Sequence, residues 1–287
     1  VDVRVPEGLR SRTRDGYFAP DPPPIRPTFE FTIQDSARNY MDVTAADLEV
    51  LEDDVPQQID TFQEAVDPVS MVLTLDSSGS MKRATEVVKA TAREFVLAVR
   101  PEDNLAFITF ADEPRFEHVL STNRKWSLDA INKYTANGGT ALYDALYNSL
   151  MHLKGVKGRR AIVLLSDGRD EDNPGKGPGS KHVLHDVLKL QREVGATVYA
   201  VGLGDNVDRE VMEQLADQSG GQTYYAADAS ALAEQFHRIV EDLRRRYVLS
   251  YSSTNRSADG NWRRVEIRPH ESGLVVSGPT GYFPPEK

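Results

Sequence analysis

Residues 73–81 read LTLDSSGSM, an apolar run that stops at Asp76 and continues into serine and glycine. The apolar part is typical of a β-strand that is covered on both faces. The small hydroxyl residues that follow fit two structures. One is a tight turn that caps the next helix, and the other is a set of oxygen ligands for a hard cation. The rest of the chain has to decide between these two.

Strand-like and helix-like segments alternate on both sides of this stretch. Strands are predicted at residues 69–76, 104–112, 159–167 and 196–204. Helices are predicted at residues 84–100, 127–134, 141–153, 182–195, 208–221 and 229–246. Alternation of this kind implies right-handed crossovers between parallel strands. The predicted fold class is therefore α/β, with a doubly wound, mostly parallel central sheet and helices on both faces.

The two ends of the chain have a different pattern. Residues 28–63 and 247–283 alternate between apolar and polar positions with a period of two, which predicts antiparallel strands. We therefore expect a discontinuous β-sandwich-like domain from residues 21–68 and 247–287, with the α/β domain, residues 69–246, inserted into it. The proline-rich residues 19–27 are predicted to form a stiff, extended linker.

One short motif occurs near both ends. Gly8-Leu9 is followed by Gly16-Tyr17-Phe18, and Gly273-Leu274 is followed at the same spacing by Gly281-Tyr282-Phe283. Two interpretations stay open. Residues 1–20 are either the tail of a preceding repeat unit of the same kind or an edge strand that shares a turn signature.

Composition excludes several classes of function. The 287 residues carry a net charge of −10, which disfavours a nucleic-acid partner. The chain has no cysteine, so disulfides, thiolate metal sites and cysteine nucleophiles are excluded. No apolar stretch is long enough for a membrane helix, and no signal peptide is recognisable at residues 1–10. We therefore expect no membrane insertion in this chain, and the pattern leaves its oligomeric state open.

Three polar loops follow predicted strands or enter helices at residues 76–81, 137–146 and 166–172. Ligands of an open parallel sheet bind at the carboxyl ends of its strands, so these loops are expected to meet. Each hydroxyl or carboxylate alone could be a helix cap or a turn residue. Together they form an all-oxygen set that suits Mg²⁺, with Mn²⁺ or Ca²⁺ as alternatives. The predicted metal ligands are Asp76, Ser78, Ser80, Thr140 and Asp167.

This set resembles the metal-ion-dependent adhesion site of von Willebrand factor type A domains. That site has the pattern D-x-S-x-S, a threonine on a second loop and an aspartate on a third loop, commonly followed by glycine. All five residues match, and Gly168 follows Asp167. The resemblance covers about residues 69–246, and the flanks are similar to those of bacterial, acidobacterial-type members of the family.

The resemblance implies a Rossmann-like binding domain and not an enzyme. In such domains the hydroxyl ligands reach the metal directly or through water, the aspartates hold the shell, and an Asp or Glu carboxylate from a partner protein takes the open position. A function in cell adhesion, in the periplasm or at the cell exterior, is the corresponding expectation.

One alternative from another class uses the same ion. A metal-dependent hydrolase would activate a water molecule on it. Such an enzyme needs a general base, for which only the acidic residues 170–172 offer themselves in the sequence. The same acidic residues are otherwise read as a solvated loop, and His182 and His185 as a surface pair.

Overall fold

The computed structural model describes residues 9–12, 18–20, 23–173 and 175–284. Its strands are β1 (Leu9–Arg12), β2 (Phe18–Pro20), β3 (Thr28–Gln34), β4 (Leu48–Glu52), β5 (Val55–Gln57), β6 (Ile59–Glu64), β7 (Val69–Asp76), β8 (Asn104–Phe110), β9 (Pro114–Ser121), β10 (Arg159–Ser166), β11 (Thr197–Leu203), β12 (Thr223–Ala226), β13 (Tyr247–Tyr251), β14 (Arg263–Pro269), β15 (Val275–Ser277) and β16 (Gly281–Tyr282). Its helices are α1 (Thr85–Ala98), α2 (Arg124–Asn132), α3 (Leu142–Leu153), α4 (Leu184–Val194), α5 (Arg209–Ser219) and α6 (Leu232–Arg244). None of the helices in these ranges is long and apolar enough to span a bilayer.

The central sheet has six strands in the order β12-β11-β10-β7-β8-β9. All neighbours are parallel except β8 and β9. Alternate residues of the buried strands point to opposite faces, as the two-residue period of a strand requires. One face packs a core against α1, α2 and α6, and the other packs a second core against α3, α4 and α5. The predicted doubly wound α/β fold is confirmed.

Two strands of this sheet, β9 and β12, are not predicted by the sequence pattern. β9 is an edge strand that begins at Pro114 and has no fully buried residue, so it lacks the apolar run of its neighbours. A proline at the start of an edge strand costs no ladder hydrogen bond. β12 has four residues and lies at the opposite edge. Edge strands of this kind leave little hydrophobic pattern to detect.

The flanks form two four-stranded antiparallel sheets, with orders β15-β3-β13-β6 and β16-β14-β4-β5. We call these two sheets the flank domain. Each sheet takes strands from both ends of the chain, as predicted. Inward-facing side chains of both sheets share one hydrophobic core, which includes Phe29, Phe31, Val50, Leu249 and Val265.

The α/β domain and the flank domain are joined through a buried arginine that follows α6. The Arg246 guanidinium donates hydrogen bonds to Asp242 Oδ2 and Tyr199 Oη, both at 2.9 Å, within the α/β domain. Its Nε lies 2.9 Å from Glu30 Oε1 on β3 of the flank domain. Arg159, at the start of β10, donates to the same Glu30 oxygen at 2.8 Å. One carboxylate therefore ties two arginines of the α/β domain to the flank sheet.

Candidate metal centre

The candidate centre lies where the direction of chain winding reverses in the central sheet. From β7 the chain moves to β8 on one side, whereas from β10 it moves to β11 on the other. β7 and β10 are neighbours, so their carboxyl ends open a crevice between diverging loops. Asp76 is the last residue of β7, and Asp167 directly follows β10. The sheet topology therefore brings two of the predicted ligands together.

Three of the predicted side chains form a continuous row of oxygen atoms. Ser78 Oγ lies 3.0 Å from Ser80 Oγ, and Ser80 Oγ donates a 2.8 Å hydrogen bond to Asp167 Oδ1. Neighbouring ligands of an octahedral Mg²⁺ with bonds of roughly 2.1 Å are about 3.0 Å apart. The row therefore has the spacing that one small cation needs on one side of its shell.

Asp76 adjoins this row through the Ser78 amide and is fully buried. Its Oδ1 accepts a hydrogen bond from the Ser78 amide at 2.8 Å, and its Oδ2 accepts one from Ser166 Oγ at 2.5 Å. Tyr134 Oη donates to the Asp76 carbonyl, also at 2.5 Å. Burial raises the pKa of Asp76 to about 7, against the lowering effect of its hydrogen bonds. Its hydrogen-bond partners in the described chain are all neutral, so a bound cation would stabilise the ionised form.

Asp167 has a similar but more open environment. Burial raises the pKa of its carboxyl above the ordinary value, while the hydrogen bond from Ser80 opposes that shift. Burial of two carboxylates in one place is the arrangement that a divalent ion relieves. The donor set therefore fits a hard cation.

Thr140 lies on a separate loop, which is hydrogen-bonded to the loop after β7 and to the loop after β10. The Gly79 amide donates to the Gly138 carbonyl at 2.9 Å, which links this loop to the one after β7. Thr140 and Glu171 exchange main-chain hydrogen bonds at 2.8 and 3.1 Å, which links it to the loop after β10. A Cβ on Gly168 would lie 3.5 Å from Thr140 Oγ1, so this hydroxyl faces the residue next to Asp167. All five predicted ligands thus belong to one loop cluster.

Two contributors are missed by the sequence pattern, Ser166 and Asp112. The only signal for Ser166 is a polar residue at the end of a strand that is otherwise apolar and buried. Asp112 lies on the turn between β8 and β9, a loop that no motif indicates. Its Oδ1 accepts a 2.7 Å hydrogen bond from the Gly139 amide. A Cβ on Gly138, whose φ is +97°, would lie 2.6 Å from Asp112 Oδ2. The carboxylate therefore fixes the glycine turn that presents Thr140.

We expect replacement of Asp112 to weaken ion binding indirectly. In Asp112→Ala the Gly139 amide loses its acceptor and Thr140 loses its fixed position, so Mg²⁺ affinity should fall by about 10-fold or more. Asp112→Asn keeps an acceptor oxygen and should stay within about 3-fold of wild type, an estimate from the same kind of outer contact. Titration calorimetry measures both. Equal losses in the two variants would show that Asp112 acts through its charge and not through its hydrogen bond.

Two residues that the sequence offers as weaker candidates for metal binding, Asp170 and His182, make structural contacts instead. Asp170 accepts hydrogen bonds from the amides of Gly179 and Ser180, both at 3.0 Å, and therefore holds its own loop. His182 Nδ1 lies 2.6 Å from Asp144 Oδ1. Within the described ranges no three His, Cys, Asp or Glu side chains form a metal cluster. The candidate centre instead combines two carboxylates with hydroxyl groups.

The comparisons with known proteins identify the family of the α/β domain. The model of the von Willebrand factor type A domain matches residues 70–238. The chain belongs to this family. Domains of the family are in general non-catalytic modules that mediate protein interactions.

Two curated relatives come from bacteria. An uncharacterized protein of Synechocystis is 27% identical over 179 residues, which are 61% of this chain and 41% of that protein. A UPF0353 protein of Mycolicibacterium gilvum is 23% identical over 227 residues, which are 68% of this chain and 64% of that protein. The chain thus spans less than two thirds of the length of these curated relatives.

Two solved structures show the same fold. A von Willebrand factor type A protein from Catenulispora acidiphila has a TM-score of 0.54 at 14% identity, over 93% of this chain and 75% of that chain. Proximal thread matrix protein 1 from the mussel byssus has a TM-score of 0.55 at 18% identity, over 67% of this chain and 50% of that chain. The latter structure is described as having a zinc-occupied MIDAS motif.

Proposed function

We propose that this chain is a protein-binding module that depends on a divalent cation. Asp76, Ser78, Ser80, Thr140 and Asp167 hold the ion, with Mg²⁺ as the natural choice for an all-oxygen set. An Asp or Glu carboxylate of a partner protein completes the shell. The observation that carries the proposal is the row of oxygens from Ser78 to Asp167, 2.8 to 3.0 Å apart, which is hydrogen-bonded to the buried Asp76 through the Ser78 amide.

The charge balance of the site supports a carboxylate ligand. The bound ion supplies positive charge and at least one exchangeable position. Both oxygens of Asp76 are held by hydrogen bonds from Ser78 and Ser166, so this residue acts best through water or through its charge. Neutral hydroxyls then provide much of the direct contact. A partner carboxylate adds the missing ligand and a negative charge at the same time.

A small carboxylate probe tests this proposal directly. The protein is loaded with Mn²⁺ and mixed with N-acetyl-aspartate amide that carries ¹³C in its side-chain carboxyl group. Because bound Mn²⁺ is paramagnetic, we expect selective broadening of the carboxyl signal. The matched control compound is N-acetyl-asparagine amide, which has the same shape but no charge and should stay sharp.

The protein control is the variant Asp76→Asn/Asp167→Asn, which should abolish the broadening. Equal broadening of the aspartate and asparagine probes would rule out recognition of a carboxylate. Broadening that persists in the variant would place the ion elsewhere in the chain. The identity of the partner and a location in the periplasm or at the cell exterior stay predictions from the family resemblance.

A further inference from the structure

The motif shared by the two ends of the chain is part of a longer repeat. Residues 1–4 read VDVR and residues 265–268 read VEIR. The Gly-Leu and Gly-Tyr-Phe motifs follow in both copies, so residues 1–18 match residues 265–283 with one residue inserted in the second copy. This second copy is β14, β15 and β16 of the flank domain. The structure of the second copy therefore shows which strands such a sequence forms.

The second copy closes both sheets of the flank domain, in the sense that it supplies one edge strand to each of them, β15 and β16. Val265 and Ile267 of β14 point into the core, and the intervening Glu266 does not. β15 then pairs with β3 in one sheet, and β16 pairs with β14 in the other. The same alternation of apolar and charged residues is present at Val1, Asp2, Val3 and Arg4 of the first copy.

Each residue of the Gly-Tyr-Phe motif has a specific place. A Cβ on Gly281 would overlap the Arg263 carbonyl. Tyr282 Oη donates a 3.0 Å hydrogen bond to the buried Glu52 carboxylate. The ring of Phe283 packs edge-on against Trp262 with centroids 4.9 Å apart. All three residues of the motif thus make contacts that are specific to a flank domain of this construction. A turn alone would not require all three of them.

In this chain the place is already taken by the second copy. Residues 9–12 and 18–20 pair only with each other in the described structure, as a two-stranded sheet apart from the two flank sheets. An isolated two-stranded hairpin is marginally stable in water. The described strands of the first copy therefore belong to neither flank sheet, although its sequence matches the copy that does.

We propose that residues 1–18 close the flank domain of a second unit of the same construction, which precedes this one in the polypeptide. The proline-rich residues 19–27 then connect the two units. This connection is attached to the present unit at its end, where the Ile25 carbonyl accepts a 2.8 Å hydrogen bond from the Ser253 amide. The proposal is independent of the metal site.

One sequence difference between the two copies predicts a structural feature of the preceding unit. Thr13 stands where the second copy has Gly278, and a Cβ on Gly278 would lie 2.6 Å from Phe31 Cβ. The contact is with the Cβ atom of Phe31, so the preceding unit should have glycine at that place, or a shifted loop. It is a related unit and not an identical one.

A fusion protein tests the proposal. Residues 23–264 are placed directly before Val1 of the whole chain, so that residues 1–18 become the closing strands of a front unit. Thr13→Gly, Arg14→Pro and Asp15→Thr give this front unit the loop that fits Phe31. Trp126→Phe in both units and Trp262→Phe in the rear unit leave one tryptophan, Trp262 of the front unit, as a reporter of that closure.

We expect the front tryptophan to unfold cooperatively in urea, and Tyr17→Ala to lower its midpoint by about 1 M. The matched control, Tyr282→Ala, should leave the front midpoint unchanged because it lies in the rear unit. An unfolded front unit, or a midpoint that Tyr17→Ala does not move, would overturn the proposal.

A second measurement uses the single chain. Deletion of residues 1–22 should leave its urea midpoint unchanged, since the described strands of this segment, β1 and β2, pair only with each other. A lower midpoint after the deletion would also overturn the proposal, because it would make residues 1–20 an edge strand of the present unit.

Discussion

Arg246→Met is expected to destabilise the protein by about 3–5 kcal/mol, the cost of removing one partner of a buried ion pair. Asp242 is fully buried and would lose the cation that neutralises it. The carbonyls of Glu30 and Gly220, which accept hydrogen bonds from Arg246 at 3.1 and 3.0 Å, would lose their donor as well. Methionine fills most of the volume, so the loss comes from charge and hydrogen bonding. Urea unfolding followed by circular dichroism measures the effect.

Two variants separate this cause from others. Arg238→Met removes an exposed ion pair to Glu234 on the same helix, and should cost only about 0.5 kcal/mol or less. Adding Asp242→Asn to Arg246→Met removes the uncompensated charge and should recover part of the stability. If Asp242→Asn instead lowers the stability of the Arg246→Met variant as much as it lowers that of the wild type, Arg246 does not act by neutralising Asp242.

The second large effect is expected from the isosteric variant Asp76→Asn/Asp167→Asn. It removes both carboxylates of the centre but keeps their size, so Mg²⁺ and Mn²⁺ should no longer bind measurably. Ion binding stabilises the native state by mass action, so saturating Mg²⁺ should raise the melting temperature of the wild type only. Without metal the variant should melt no lower than the wild type, because it no longer buries the Asp76 carboxylate.

The matched control is Asp172→Ala, which removes an acidic residue from the same loop. The Asp172 carboxylate is exposed and accepts hydrogen bonds from the Lys176 and Gly177 amides, outside the row of candidate ligands. This variant should bind the ion like the wild type. Unchanged binding by Asp76→Asn/Asp167→Asn would show that the ion binds at another place.

The sequence predicts the sheet and its loops well because these features depend on strong local patterns. β7 is mostly apolar, and all eight of its residues are buried. A run of that kind followed by D-x-S-x-S gives both a strand and the position of a ligand loop. The edge strands β9 and β12 escape prediction because partly exposed strands carry little periodic signal.

The supporting contacts of the centre are harder to predict because they depend on tertiary structure alone. Asp112 is 27 positions from Gly139, and Ser166 is 90 positions from Asp76, yet each pair is hydrogen-bonded. Neither residue belongs to a local motif. The buried contact between Arg246 and Glu30 is hidden in the same way, since the run Arg244–Arg246 at the end of α6 has the pattern of a solvated helix end.

The most direct test of the metal assignment is anomalous diffraction from crystals grown with Mn²⁺. We predict one strong peak in the crevice between the ends of β7 and β10, within coordination distance of Ser78 and Ser80 and beside Asp167. The peak should disappear in crystals of the Asp76→Asn/Asp167→Asn variant. A peak at another place in the wild type, or none at a Mn²⁺ concentration that saturates the protein in solution, would contradict the assignment.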